Sequence, residues 1–491
     1  MINFSSASIV LWGLLFTPMA GSAQPSNTQK YEPTLSSLNS HPLPQWYADA
    51  KLGIFVHWGL YSVPGWAPLQ HPNHDFTSPD YIKDNPYAEW YYNVMRVPGS
   101  PTAAYHREHF GANFSYYDFA PVFDRESRKW NPDQMAQIFR DAGAKYVVLT
   151  TKHHDGFTLW PSAVENPNQK NLHASRDIVS DLTESVRKTG MRMGLYYSGG
   201  YDWTFNRGPI LDASDYETVK PQNTAYGKYA DAQIEELISR YHPSVLWNDI
   251  DWPKSGQPLK IMADYYNAVP DGVVDDRYGV KHSDFTSPEY AKLDAISPTK
   301  WEECRGLGQS FGYNRAEGEA ETIAPAELIN LLVDIVSKNG NLLLSIPLPG
   351  YGEPDSDEIA FLEELADWQR VNSEAIKGTR PWSVFGEGPS TEAKQIPSYQ
   401  LSKIKFDHTD IRFTTKGDTL YAIALGWPAD GKIVIKSLAE NSANYPRQIR
   451  KVELIGANSE VRWKRGAQGL EIQVPDTPPC KYAFSIRISA G

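Results

Sequence analysis

The strongest constraint on this chain is a repeated alternation of strand and helix patterns between residues 131 and 346. A helix is predicted to begin at Asn131, whose side chain can cap it, and the β-branched run 145–151 follows as a strand. Ile178, Leu182 and Val186 then recur at a spacing of four, which is typical of a helix with one buried face. About eight strands can be counted in the chain, and none is followed by a glycine-rich nucleotide fingerprint. The pattern predicts an α/β fold, a (β/α)8 (TIM-like) barrel rather than an open doubly wound sheet.

The pattern changes at about Thr379. Short strands such as 410–415 and 419–425 flank the turn Lys416-Gly417-Asp418, and no helical run interrupts those that follow. This is typical of a β-sandwich. We therefore expect a lead at 24–44, a catalytic barrel at 45–378 and an accessory C-terminal β-sandwich at 379–491.

Residues 1–23 have the pattern of a secretory signal peptide. An apolar centre at 9–16 is followed by the small residues Gly21, Ser22 and Ala23, although the first residues carry neither Lys nor Arg. The apolar run is short for a membrane span, and no later stretch matches it. The sequence predicts export to the periplasm or the extracellular space and no membrane span in the mature chain.

Composition excludes several classes of function. The formal net charge of −12 argues against nucleic acid as a partner, because phosphate binding needs clustered Lys and Arg. Only two cysteines are present, Cys304 and Cys480, so a disulfide framework is excluded and a thiolate metal site is not expected. The aromatic content of 12%, with 15 Trp and 28 Tyr, suits a surface that covers the apolar faces of sugars, and it also suits a large core. The oligomeric state stays open, a homo-oligomer included.

Polar side chains follow the predicted barrel strands. The clearest case is SVLWNDIDWP at 244–253, where the buried strand ends in Asn248 and Asp249 beside Trp247, a candidate wall for a sugar ring. Capping of the next segment is the ordinary alternative for this aspartate. The predicted strand ends together supply His57, His153, His154, Tyr196, Asp249, Arg277 and Glu302. If the barrel forms, these groups share one face and suit a polyhydroxylated substrate.

Asp249 and Glu302 form a candidate pair of catalytic carboxylates. A retaining glycosidase needs one carboxylate to attack the anomeric carbon and a second, about 5 to 5.5 Å away, to protonate the leaving oxygen. Trp301 would supply the apolar surroundings that raise the pKa of the acid. Arg277 and the histidines would favour the ionised form of the nucleophile.

A metal-dependent hydrolase is the rival hypothesis from the residues. Three histidines and an aspartate at barrel strand ends could hold a metal ion. Against this, no His-x-His or His-Glu-x-x-His spacing is present, and His153 and His154 would face opposite sides of a continuing strand, unless a loop brings them together. Buried histidines satisfied by ordinary core hydrogen bonds are the structural alternative for each one taken singly.

Six motifs resemble the α-L-fucosidases of glycoside hydrolase family 29. They are FVHWGLYSVP, NPYAEWYYN, AGAKYVVLTTKHHDGF, GLYYSGGYDW, VLWNDIDWP and KWEECRGLGQSFGYNR, and the resemblance extends from about residue 31 to 382. It implies a barrel followed by a β-sandwich, retaining exo-hydrolysis of fucosylated oligosaccharides or glycoconjugates, and neither a metal nor a cofactor.

The resemblance also implies site residues. Asp249 corresponds to the catalytic nucleophile and Glu302 to the acid/base. The fucose pocket would be completed by His57, Glu89, Trp90, His153, His154, Tyr196, Trp247 and Arg277. The alternative to an enzyme is a protein that binds fucose without hydrolysing its glycosides. The presence of both candidate catalytic acids disfavours this alternative.

Two further acids, Asp251 and Glu303, lie close in sequence to the candidate catalytic pair, and Asp251 departs from the family motif. Relatives often have a small residue at the position of Asp251. On an extended strand the Asp251 side chain would share a face with Asp249, and its negative charge would raise the pKa of Asp249. We therefore expect the backbone to bend there and Asp251 to line the leaving-group side. Glu303 adjoins the proposed acid/base and should face the opposite side of the strand.

Overall fold

The computed structural model describes residues 30–69, 79–206, 208–391 and 405–490. The predicted signal peptide at 1–23 lies outside the described residues. Within the described ranges, no helix combines the length and the apolar character needed to cross a membrane. Cys304 and Cys480 are both free thiols, and Cys304 is buried.

Seven parallel strands form the barrel sheet, in the order β5-β4-β3-β2-β1-β7-β6. They are β1 (Leu52–Val56), β2 (Tyr146–Lys152), β3 (Arg192–Ser198), β4 (Val245–Asp249), β5 (Val273–Val274), β6 (Trp301–Gly306) and β7 (Gly340–Ser345). Nearly every strand residue is buried, because side chains fill the interior of the sheet and helices cover its outer face.

An extended segment closes the ring between β5 and β6. The backbone N–H of Asp284 donates to the carbonyl of Val274 over 3.0 Å. Further along, Thr286 and Glu289 form parallel bridges to residues of β6. This segment takes the eighth position, and the predicted (β/α)8 architecture is confirmed.

Thirteen α-helices lie within the described residues. They are α1 (Leu35–Leu38), α2 (Gln45–Ala50), α3 (Pro79–Lys83), α4 (Tyr91–Val94), α5 (Pro101–His109), α6 (Ala120–Glu126), α7 (Pro132–Asp141), α8 (Ile178–Lys188), α9 (Asp215–Thr218), α10 (Thr224–Tyr241), α11 (Pro258–Ala268), α12 (Pro325–Ser337) and α13 (Ser356–Asn372). Asn131 caps α7 by accepting from the N–H of Gln134, as its position predicts. Ile178, Leu182 and Val186 are all buried on one face of α8.

The C-terminal region forms two antiparallel sheets. One has the order β12-β15-β10-β9-β8 and the other β11-β14-β13. The strands are β8 (Arg380–Glu387), β9 (Ile411–Lys416), β10 (Thr419–Ala424), β11 (Lys432–Ile435), β12 (Ile449–Leu454), β13 (Arg462–Gly466), β14 (Gly469–Gln473) and β15 (Phe484–Ala490). Phe413, Ile433, Ile472 and Ile486 belong to the shared core of the two sheets, which confirms the sandwich.

A buried ion pair links the sandwich to the barrel. Asp334 of α12 accepts from Arg412 Nε of β9 over 2.6 Å and from Lys338 Nζ over 2.6 Å. All three side chains are almost fully excluded from solvent. Trp368 of α13 also donates through its indole nitrogen to the carbonyl of Ala483. The sandwich is therefore docked on the barrel through specific contacts that would be costly to break.

Candidate active site

A small cavity opens at the carboxyl ends of the barrel strands, with a volume of about 110 Å³. Nine of the ten site residues expected from the sequence line it, and Glu302 does not. The lining residues are Phe55, His57, Tyr87, Glu89, Trp90, His153, His154, Tyr196, Trp247, Asp249, Ile250, Arg277, Glu289, Cys304 and Phe311. The cavity suits one small ring rather than an oligosaccharide, and its mixture of aromatic and polar groups is typical of a sugar site.

Asp249 is the last residue of β4, and two donors fix its carboxylate. The hydroxyl of Tyr196 donates to Oδ2 over 2.8 Å. Arg277 Nη1 donates to Oδ1 over 2.9 Å. His154 Nε2 lies 3.9 Å from Oδ2. The carboxylate is thus held at the mouth of the barrel by groups from the adjacent strand β3 and from the loop after β5.

The backbone turns sharply after Asp249. Ile250 and Asp251 have φ angles of 60° and 68°, a left-handed conformation that is strained for a β-branched residue such as Ile250. The N–H groups of Gly199 and Gly200 hold the turn by donating to the carbonyl of Asp249 over 3.2 and 3.1 Å. A Cβ at Gly200 would lie 1.5 Å from the carbonyl oxygen of Ile250, so only glycine fits there. The expected bend at Asp251 is present, and its side chain pairs with Lys220 over 2.8 Å.

Three neutral histidines surround the cavity. Burial holds the pKa values of His57, His153 and His154 well below their usual range. His153 and His154 lie beyond the end of β2, where a loop brings both rings to the cavity with centroids 4.0 Å apart. The opposite-face geometry of a continuing strand therefore does not arise. Within the described part of the chain, His153 Nδ1 has no hydrogen-bond partner.

Serine hydroxyls set the tautomers of the other two histidines. Ser345 Oγ already donates to a backbone carbonyl, so it accepts from His57 Nδ1, 3.0 Å away. Ser198 Oγ likewise donates to a carbonyl and accepts from His154 Nδ1 over 2.6 Å. The Nε2 atom of each ring therefore keeps its lone pair, which can accept a hydrogen bond from a substrate hydroxyl.

The structure does not bring Glu302 to the cavity. It is the second residue of β6 and lies at the amino-terminal end of the barrel, where its carboxylate accepts from the hydroxyls of Tyr47 and Tyr146 and from the indole nitrogen of Trp247. The side chain is fully buried, and burial raises its pKa. The expectation that Glu302 stands at the barrel mouth opposite Asp249 is wrong, because β6 begins at Trp301 instead of ending there.

Glu303 faces away from Glu302, as strand alternation predicts. Among the described residues, neither of its carboxylate oxygens has a hydrogen-bond partner. Burial raises the pKa of this carboxyl to about 7. Glu303 is therefore a buried group outside the cavity and not a second candidate for the acid at its mouth.

Glu289 is a site carboxylate that the sequence did not reveal. It lies in the closing segment, lines the cavity and accepts from Arg277 Nη1 over 2.7 Å. The same nitrogen bonds Asp249, so the two carboxylate oxygens are separated by no more than the sum of two hydrogen bonds. The available signal was the long interval at 275–300 without a strand pattern, which lies between two predicted barrel strands.

Arg277 links the two carboxylates. Burial alone would lower its pKa, but the charges around it, Glu289 foremost, raise the pKa further above its usual value. Its guanidinium lies 4.4 Å from the ring centre of Trp247, a cation–π contact that fixes its position. It stays cationic under all ordinary conditions.

Glu89 is a third acid of the cavity. Its Oε2 accepts from the N–H of Gly312 over 2.7 Å and from Ser310 Oγ over 3.1 Å. Burial raises the pKa of this carboxyl to about 7, so it can carry a proton near neutrality. It can therefore donate or accept a hydrogen bond with a sugar hydroxyl.

The rival metal hypothesis has one geometric candidate among the described residues. His153, His154 and Asp249 each offer one atom, and these atoms lie within 4.8 Å of one another. Both oxygens of Asp249 already accept hydrogen bonds, one of them from cationic Arg277 at 2.9 Å. A positive charge this close opposes the binding of a second cation.

Comparisons with known proteins agree on one family. The alpha-L-fucosidase family model matches residues 19–374, and the model of the alpha-L-fucosidase C-terminal domain matches residues 406–489. The chain is 34% identical to the tissue alpha-L-fucosidase of Rattus norvegicus, covering 95% of this chain and 94% of the relative. It is 32% identical to an alpha-L-fucosidase of Dictyostelium discoideum, with 94% and 95% covered. The solved alpha-fucosidase of Thermotoga maritima in complex with fucose is 38% identical, covers 94% of this chain and 100% of its own, and superposes with a TM-score of 0.80.

Proposed function

The chain belongs to the alpha-L-fucosidase family of glycoside hydrolases, and we propose that it cleaves terminal α-L-fucosyl residues with Asp249 as nucleophile and Glu289 as acid/base. The observation that carries these roles is the shared nitrogen of Arg277, which bonds both carboxylates at the wall of one small cavity. Their oxygens are close enough for the separation of about 5 to 5.5 Å that retaining glycosidases use. Glu289 replaces Glu302 in the role of acid/base.

The reaction proceeds in two displacements. An oxygen of Asp249 attacks the anomeric carbon, the glycosidic bond breaks, and Glu289 gives its proton to the departing oxygen. The product of this step is a fucosyl ester of Asp249. Glu289, now a carboxylate, takes a proton from water, and the resulting hydroxyl attacks the anomeric carbon and releases Asp249. Two inversions give net retention.

The rest of the cavity supports a deoxy sugar with several hydroxyls. The Nε2 lone pairs of His57 and His154 accept from hydroxyls, and Glu89 bonds another. Phe55 and Phe311 give the cavity an apolar side, which suits the methyl group that distinguishes fucose from a hexose with a free primary hydroxyl. Trp90 and Trp247 complete the walls.

Further proposals concern location, substrate and domains. The pattern at 1–23 supports export to the periplasm or the extracellular space. The family match supports fucosylated oligosaccharides or glycoconjugates as substrates. We place the domain boundary between the barrel at 45–378 and the sandwich at 379–491, because β8, the first strand of the sandwich, begins at Arg380.

The test is the hydrolysis of a 4-nitrophenyl α-L-fucoside by the purified protein in a chelator, with the anomer first released identified by proton NMR. We expect release of α-L-fucose at a rate that the chelator does not change. Release of the β-anomer would contradict the retaining mechanism, and loss of activity on chelation would favour the metal-dependent alternative. Fucose binding by a folded protein without turnover would favour a binding protein.

A further inference from the structure

A second cavity lies beside the proposed fucose pocket. Its volume is about 580 Å³, and three residues line both cavities: Asp249, Ile250 and Arg277. A leaving group departs from the side of the anomeric carbon opposite Asp249, where Glu289 protonates it. Ser287 and Pro288, the two residues before Glu289, line the second cavity, so a leaving group beside Glu289 would enter it. We call this second cavity the acidic cleft, after the charges described next. The inference below rests on the proposed function of the smaller pocket.

The lining of the acidic cleft carries more negative than positive groups. Among its described residues are four carboxylates and two cations, namely Glu217, Asp249, Asp251 and Asp276 against Lys220 and Arg277. Arg277 is already engaged by Asp249 and, outside the cleft lining, by Glu289. The positive charge of Arg277 is therefore offset by the two catalytic carboxylates, and it does not neutralise the other carboxylates of the cleft.

Lys220 is also unavailable to a ligand. Its ammonium donates to Glu217 Oε1 over 2.7 Å and to Asp251 Oδ2 over 2.8 Å. The Lys220 side chain is only 9% exposed, whereas those of Glu217 and Asp251 are 81% and 56% exposed. The cleft therefore presents carboxylates to solvent and covers the ammonium beneath them.

The backbone fixes the position of Asp251. Its left-handed φ of 68° turns the side chain away from Asp249, and Asn248 Nδ2 holds the turn by donating to the carbonyl of Asp251 over 2.9 Å. Tyr216 adds a half-buried aromatic ring to the cleft. The cleft thus combines an aromatic surface for a ring with fixed acceptors for hydroxyl or amino groups.

We propose that the acidic cleft receives the leaving group of the substrate and selects it by charge, so that neutral or cationic leaving groups are accepted and anionic ones are disfavoured. Glu217 and Asp251 are the residues that set this preference. In glycans, carboxylated or sulfated sugars next to the fucose are the groups that would be rejected.

The experiment uses two aryl α-L-fucosides that differ in one group, a para-carboxylate or its methyl ester. The ratio of kcat/KM for the ester to that for the carboxylate is measured in the wild type and in the double variant Glu217→Gln/Asp251→Asn. Intrinsic reactivity of the two phenols cancels when the ratios are compared. We expect the ratio to fall only about three- to tenfold in the variant, because exposed charges interact weakly through water. Asp367→Asn on α13, which exchanges an exposed carboxylate outside the cleft, should leave the ratio unchanged.

An unchanged ratio in the double variant would overturn the proposal. The single variant Glu217→Gln is a second test that does not depend on the folding of the double variant, because this side chain is largely exposed. It should show part of the fall in the kcat/KM ratio. A wild type that hydrolyses neither substrate would refute the proposed function itself. Hydrolysis of both with an insensitive ratio would refute only the role of the cleft.

Discussion

The indole nitrogen of Trp247 donates a hydrogen bond to the carboxylate of Glu302 over 3.1 Å. Trp247 lines the cavity and Glu302 does not, so the tryptophan separates this carboxylate from the substrate. Two tyrosine hydroxyls complete the bonding of Glu302 from the amino-terminal end of the barrel. Glu302 therefore supports the floor of the pocket, which favours the proposal that Glu289 at the mouth is the acid/base.

Replacement of Glu302 should affect stability rather than proton transfer. Glu302→Ala leaves three buried donors without their acceptor, which should lower the free energy of unfolding by about 2 to 4 kcal/mol. Thermal denaturation measures this loss. Azide should not restore the activity of this variant on an activated fucoside, and formation of a fucosyl azide would return Glu302 to the acid/base role.

Glu289→Ala should behave as an acid/base variant. Without a proton donor, cleavage of substrates with poor leaving groups should fall by about two to four orders of magnitude, and that of an activated aryl fucoside by less. Azide should then accelerate turnover of the activated substrate and yield a fucosyl azide of retained configuration. Glu89→Ala is the matched comparison, because it removes another carboxylate of the same cavity. Rescue in Glu89→Ala and not in Glu289→Ala would transfer the role to Glu89.

The buried carboxyl of Glu303 should make stability depend on pH. Burial raises its pKa from 4.5 to about 7 in the folded protein. Between these two values the folded state holds a proton that the unfolded chain has lost, so this group reduces stability as the pH rises. The deficit above pH 7 is on the order of 3 kcal/mol.

Glu303→Gln removes this dependence. The stability of the variant relative to the wild type should increase as the pH rises from 4.5 to about 7 and then level off. Denaturant unfolding at several pH values measures the difference. A difference for Glu303→Gln that is constant with pH would contradict the assignment.

The buried ion pair between Asp334 of the barrel and Arg412 of the sandwich should matter for the stability of the protein and not for its activity. Arg412→Met leaves Asp334 buried with Lys338 as its remaining ionic partner, which should cost about 3 to 5 kcal/mol. Activity at a temperature where the variant is folded should be unchanged, since none of these residues lines the cavity. Thermal unfolding together with kcat/KM tests both statements, and a variant with wild-type stability would show that the docking does not depend on this pair.

Much of the site could be predicted because its residues follow recognisable strands. Asp249 ends a short buried run, and the histidine pair follows a β-branched strand, so local patterns were sufficient for them. Glu302 was misplaced because a short strand pattern does not reveal which end of the strand a residue occupies. The run WEECRG is fully buried, and only the pairing of Trp301 with Gly340 shows where β6 begins.

Long-range contacts account for what the sequence could not reveal. Glu289 lies in an irregular segment with no periodic pattern, and its significance depends on its contact with Arg277, which lies in the loop after β5. The pair of Lys220 and Asp251 joins residues 31 positions apart. Such contacts follow from the closure of the barrel and leave no local signal.

The identity of the nucleophile is tested most directly by trapping the intermediate. A 2-deoxy-2-fluoro-L-fucosyl fluoride reacts through its good leaving group, while the fluorine at C2 slows hydrolysis of the ester and lets it accumulate. Mass spectrometry of the digested protein should place one fluorofucosyl group on Asp249, and Asp249→Ala should remain unlabelled. A label on another carboxylate, or turnover of the reagent by the Asp249→Ala variant at the wild-type rate, would contradict the assignment of Asp249 as the catalytic nucleophile.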